Sequence, residues 1–185
     1  NTGVTEISAQ EHRPMKIGKP DRYVQWPENF GSRFLISVDT EEEFDWDAPF
    51  QRSGHTTVSV PMLRKFQEFI EKYHVRPAYF VDYSIITDDD AVAFLRTVAE
   101  RETAEIGVHL HPWVNPPFDE QVNVHNSFAG NLPKELEEEK LVALRDAIRD
   151  KIGIRPTIYR AGRYGIGPHT TGLLRKHGFV LDSSI

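Results

Sequence analysis

Residues 105–111 read Glu105-Ile106-Gly107-Val108-His109-Leu110-His111, with Pro112-Trp113 directly after. Ile106, Val108 and Leu110 alternate with Gly107, His109 and His111, a two-residue period that belongs to a β-strand with one apolar face. Working backward, Thr87-Asp88-Asp89-Asp90 offers an N-cap and an acidic first turn to a helix over 91–101. Before it, residues 78–83 read as another strand. Earlier still, Met62, Leu63, Phe66, Phe69, Ile70 and Tyr73 recur at helical spacing, with Pro61 suited to the first turn. Residues 33–39 are rich in β-branched and aromatic types and read as a buried strand. Working forward, a long loop over 112–132 leads into a helix over 133–152, with Leu136, Leu141, Leu144 and Ile148 on one face and Gly153 as its stop. A strand over 157–160, a short helix over 170–177 and a strand over 179–183 complete the series.

Strands alternating with helices predict α/β architecture, with parallel, right-handed βαβ units and helices covering the sheet. Five strands are too few to close a barrel of the usual (β/α) kind. The chain reaches Ile185 inside or just after the fifth strand, so the expectation is a barrel lacking its C-terminal strands. Residues 1–30 hold no periodic run and mix Pro14, Gly18, Pro20 and Pro27 with charges. They are expected to form an N-terminal arm packed through Tyr23 and Trp26, leaving 31–185 as the domain.

With 185 residues the chain suffices for one domain with a sizeable core. Apolar runs such as Phe34-Leu35-Ile36 are strand-sized, far short of the roughly 20 residues that cross a bilayer. A net charge of −6 argues against nucleic acid as a partner. Cysteine is absent, which removes disulfide frameworks, thiolate metal sites and thiol nucleophiles.

In folds of this kind the active site gathers at the C-terminal ends of the strands. On the first strand Leu35, Ser37, Asp39 and Glu41 share a face; on the third, His109 and His111 share one. A carboxylate with two imidazoles suits a divalent metal: Zn²⁺ first, with Co²⁺, Ni²⁺ or Fe²⁺ as chemical alternatives. The competing reading makes a lone strand histidine a hydrogen-bonded structural residue and the run Glu41-Glu42-Glu43-Phe44-Asp45 a solvated loop. Against it stands the position of Asp39, since a carboxylate directly after an apolar strand is costly to bury without a partner. Asp82, ending the second strand, is read as a loop cap with a lesser candidacy for orienting a ligand.

The order of these motifs resembles the NodB-homology polysaccharide deacetylases, carbohydrate esterase family 4. Their first motif, a strand ending in Thr-Phe-Asp-Asp, is matched by Ser37-Val38-Asp39-Thr40-Glu41. Their histidine motif after Glu-Ile-Gly is matched by residues 105–113, and Arg-x-Pro-Tyr-Gly is approximated by residues 159–165. A Gly-Phe strand after a helix is matched by Gly178-Phe179. The resemblance spans 33–185 and implies a distorted seven-stranded (β/α) barrel, present here as its first five strands. It implies a divalent metal and a hydrolase removing N-acetyl groups from an amino-sugar polysaccharide or oligosaccharide.

Residue by residue, the resemblance makes Asp39 the catalytic base and Glu41 the metal carboxylate, although Asp39 itself is an alternative ligand. It makes His109 the first metal histidine. The family's second stands four residues later, where this chain has Trp113, so His111 is the replacement. Arg160 would pair with Asp39, and one extra residue in the motif leaves Arg163 as an alternative. Trp113, Arg163 and Tyr164 are the substrate-contact candidates, with Phe118 and Phe128 beside them and a backbone N–H near Tyr164 for the oxyanion. A late Leu-x-x-His motif has no counterpart before Ile185. Two other functions fit the same motifs: hydrolysis of a small linear or cyclic amide, and carbohydrate binding by a metal-free pseudoenzyme.

Overall fold

The computed structural model describes Tyr23 and residues 25–184, and the chain separates into two units, residues 1–33 and 34–185. In the first unit Tyr23 and Trp26 are exposed, not packed as expected. Trp26 instead stacks on Phe30 with ring centroids 4.3 Å apart. Residues 1–22 and 24 of the expected arm lie outside the described residues.

The second unit alternates strand and helix as its periodicity demands. Its strands are β1 (Ser37–Thr40), β2 (Ala78–Val81), β3 (Glu105–Leu110), β4 (Ile158–Ala161) and β5 (Leu181–Asp182). The helices between them are α1 (Val60–Glu71), α2 (Tyr83–Thr87), α3 (Asp89–Glu100), α4 (Lys134–Ile152) and α5 (Thr170–Lys176). All strand pairs are parallel, in the order β1-β2-β3-β4-β5. The sheet is open, with β1 and β5 at its edges.

Boundaries depart from the periodicity for local reasons. β1 begins at Ser37 rather than 33, because the matching stretch before Ala78 is Pro77, which has no N–H to extend a ladder. Phe34 and Leu35 are left exposed. β2 ends at Val81 because Asp82 caps α2, its Oδ1 accepting the Ile85 amide at 2.8 Å. At the end of α4, Gly153 takes φ 90°, a left-handed stop that favours glycine.

Alternation then sorts the sheet into two faces. Tyr79, Val81, Ile106, Val108 and Leu110 join Ile85, Ile86, Leu95, Val98, Leu144 and Ile148 in one buried core. The opposite face carries the chemistry. In register, Asp39 lies beside Phe80 and Phe80 beside Gly107, while His109 lies beside Arg160. Gly107 is obligatory there, since a Cβ would stand 2.6 Å from Ile158 Cγ1 and 2.8 Å from Phe80 Cδ1.

Neighbouring strands lie about 4.8 Å apart, so a flat sheet would separate β1 from β4 by about 14 Å. Yet Arg160 on β4 bonds directly to β1, donating to Ser37 Oγ at 3.0 Å and to Asp39. The sheet is therefore rolled, with this polar face on its concave side.

Candidate metal centre

Rolling brings the ends of β1, β3 and β4 together. His109 Nε2 stands 3.0 Å from Glu41 Oε2, and His111 Nε2 stands 3.2 Å from the same oxygen. The three donor atoms lie within 4.8 Å of one another. Each ring is fixed by its other nitrogen. His109 Nδ1 is 3.1 Å from the Arg160 carbonyl, and His111 Nδ1 lies 3.1 and 3.0 Å from the two Glu42 oxygens. Trp113 stacks on His111, centroids 4.4 Å apart at 24°. On the ring's edge Gly162 makes room, since a Cβ there would lie 2.3 Å from His111 Cδ2.

Electrostatics follow from this crowding. Burial works against a charge on Glu41, but hydrogen bonds and attraction from His109 and His111 outweigh it and hold the carboxyl at about 2. Burial likewise opposes a charged Glu42, and Asp82 and His111 bring it down to about 2. Asp82 is wholly buried beside Glu42 and is pushed well above the ordinary carboxylate range. Burial disfavours a charged His111, yet Glu41 and Glu42 raise it to about 10.

The residues fit a divalent cation. Among the described residues, buried His111 Nε2 meets no polar partner other than Glu41 Oε2, 3.2 Å away. Two imidazole nitrogens and one carboxylate oxygen form a three-residue donor set of the kind that leaves a position open on zinc.

Asp39 stands apart from this triad, exposed and bonded to the Arg160 guanidinium. That guanidinium also donates to Ser183 Oγ at 3.0 Å and lies 4.4 Å from the Phe80 ring centre. Between the two expected arginines, Arg160 is the one that meets Asp39. Arg163 points elsewhere, over Phe128 at 4.0 Å and towards Ser127. Arg163 and Tyr164 both hold left-handed backbone angles, φ 54° and 55°, in the turn after β4. Tyr164 is exposed. Trp113 is 2 % exposed and offers no open face to a sugar; it packs among His111, Phe44 and Phe50. Phe118 is partly exposed beneath the Arg52 guanidinium at 4.6 Å.

Glu42 is the residue that sequence reasoning missed. Its neighbours Glu41 and Glu43 suggested a solvated run, and only the pairing with Asp82 and His111 separates it from them. Asp82 caps α2 as expected and, in addition, accepts the Glu42 amide at 3.3 Å.

No family model matches the sequence, and no curated protein matches it. Among solved structures the chain is similar to a protein described as a candidate polysaccharide deacetylase from Mycobacterium smegmatis. Identity is 26 % and TM-score 0.51, over 69 % of this chain and 38 % of that one. It is also similar to the chitin deacetylase from the fungal pathogen Colletotrichum lindemuthianum. There identity is 16 % and TM-score 0.53, over 80 % of this chain and 54 % of that one. The chain thus spans about half or less of the length of these structures, and the lower identity speaks for the fold alone. With five parallel strands in chain order and the motif residues at their ends, the chain shares the fold of these deacetylase structures, its strands forming an open sheet.

Proposed function

We propose that the chain carries the catalytic face of a metal-dependent hydrolase that removes N-acetyl groups from an amino-sugar polysaccharide or oligosaccharide. The observation that carries this reading is the junction at Arg160, whose guanidinium holds Asp39 while its carbonyl holds the His109 ring. Glu41, His109 and His111 would hold the cation, Zn²⁺ before Co²⁺, Ni²⁺ or Fe²⁺, through Oε2 and the two Nε2 atoms. A divalent cation bound there supplies Lewis acidity towards an amide carbonyl and lowers the pKa of bound water.

Asp39 takes the proton of the attacking water as general base. Arg160 keeps the Asp39 carboxylate aimed, its own guanidinium steadied by Ser37 and Ser183. A backbone N–H near Tyr164 would be the donor to the oxyanion, while the Gly165 and Ile166 amides are engaged within the turn. Exposed Tyr164 and Phe118 are the surfaces offered to the sugar.

The test is acetate release from N-acetylglucosamine oligomers. Release that stops with a chelator and returns with Zn²⁺ or Co²⁺ is the expected result. Release unaffected by chelation would sink the metal mechanism. Turnover of a small amide with none of the oligomer would move the substrate from polymer to small molecule.

A further inference from the structure

The buried acids Glu42 and Asp82 behind the candidate metal centre have no part in the chemistry above, yet their geometry is directed at one ligand, His111. Glu42 and His111 are almost wholly buried, with side chains 0 % and 1 % exposed. Both Glu42 oxygens face His111 Nδ1, at 3.1 and 3.0 Å. The Glu42 carboxyl is hydrogen-bonded in turn to Asp82, which is buried and anchored to the Ile85 amide and to the Glu42 amide. Stacked Trp113 and close-packed Gly162 leave the His111 ring little freedom to turn.

We propose that Glu42 is a positioning residue that seats the His111 proton on Nδ1, so that Nε2 is the nitrogen His111 presents to a divalent cation beside Glu41 and His109. This rests on reading the triad as a metal centre. An imidazole has two nitrogens, and the hydrogen bond made by one decides which is left to bind a metal. His109 obtains that bond from a backbone carbonyl. His111 lies just past the end of β3, and Glu42 is the group at its Nδ1. The same contact explains how a histidine two residues from His109 serves where a longer spacing is the family habit: the ring is aimed by a side chain from the β1 end.

The test uses the whole chain and adds Co²⁺, Zn²⁺ and Cd²⁺ as the probes. In ¹⁵N spectra of the ¹¹³Cd-loaded wild type, the metal should couple to His111 Nε2, with the proton on Nδ1. Coupling to His111 Nδ1 would overturn the proposal with no variant needed. Glu42→Leu should weaken Co²⁺ and Zn²⁺ affinity about 10–100-fold, the usual scale for loss of a group that orients a metal ligand. Glu42→Gln keeps an acceptor oxygen and should recover part of that loss. A merely structural role would lower the melting temperature of both variants and leave their metal affinities alike. Should Glu42→Leu fail to fold, Glu42→Gln and the wild-type spectrum decide. Folded variants that bind within twofold of wild type would overturn the role of Glu42 alone. A wild type that takes up none of the three ions would overturn the metal reading itself.

Discussion

Glu41, Glu42 and Glu43 follow one another after β1, and each meets a different environment. Glu41 faces two imidazoles, Glu42 is buried against Asp82 and His111, and Glu43 ties down its own loop through Thr56 and Ser59. A run of acids carries no sign of such a division, since it depends on which loop passes overhead. Asp39 and His109 were legible because strand period alone sets their face. His111 was legible only as far as Pro112 keeps it extended. Two expectations follow at this scale. Asp39→Asn should retain Co²⁺ yet lose turnover, and His109→Ala should lose the ion, both read by absorption titration beside acetate release. The second concerns pH in the metal-free protein. Glu41 and Glu42 are lowered from 4.5 to about 2, so their contribution is in place above pH 4.5 and is lost as pH falls towards 2. His111 is raised from 6.5 to about 10, so its contribution is in place below 6.5 and is lost as pH rises through 10. Asp82, kept protonated by burial, adds a loss that sets in as pH rises past the ordinary carboxyl value of 3.8. Urea midpoints should therefore be highest near pH 4.5 and decline from there towards 10. A midpoint that rises with alkalinity would contradict this.

Among the elements, α4 holds more than its apolar stripe. Lys140 is fully buried on it, donating to the carbonyls of Pro112, Asn115 and Pro117 at 3.0, 2.6 and 2.6 Å. Its ammonium also pairs with Glu120 at 2.9 Å, and Glu120 pairs with Arg52 at 3.0 Å. The loop after β3 is thus pinned to α4, and the loop after β1 is pinned to it in turn. Helical period placed Leu136, Leu141, Leu144 and Ile148 inside, and the structure agrees. It could not place Lys140 there, because a buried lysine depends on carbonyls supplied by a distant irregular loop. Lys140→Met should cost about 3–5 kcal/mol, the usual penalty for leaving one member of a buried pair uncompensated. Thermal and urea unfolding would measure it; a loss under about 1 kcal/mol, the scale of an exposed pair, would mean the cluster is solvated in solution. Short α2 escaped notice because five residues are too few for a period to declare itself.

At the scale of the whole molecule, the order of strands and their parallel sense were legible because each strand–helix repeat forces a crossover. The roll of the sheet was not, since it emerges only when Arg160 and Asp39, 121 positions apart in sequence, are seen to touch. Residues 1–33 separate from the unit that holds every side chain of the candidate centre. A chain shortened to 34–185 is accordingly expected to keep its melting temperature and its Co²⁺ affinity; loss of both would assign the N-terminal unit a structural part. Arg160 has one more consequence. Its guanidinium is specific to arginine, whereas its carbonyl comes with any amino acid, so the two attachments differ in what can erase them. Arg160→Ala should leave the His109 ring held and the ion retained while hydrolysis fails. On the proposed hydrolase reading, a single codon change would therefore separate a chain that cuts its ligand from one that only grips it, with no rebuilding of the centre.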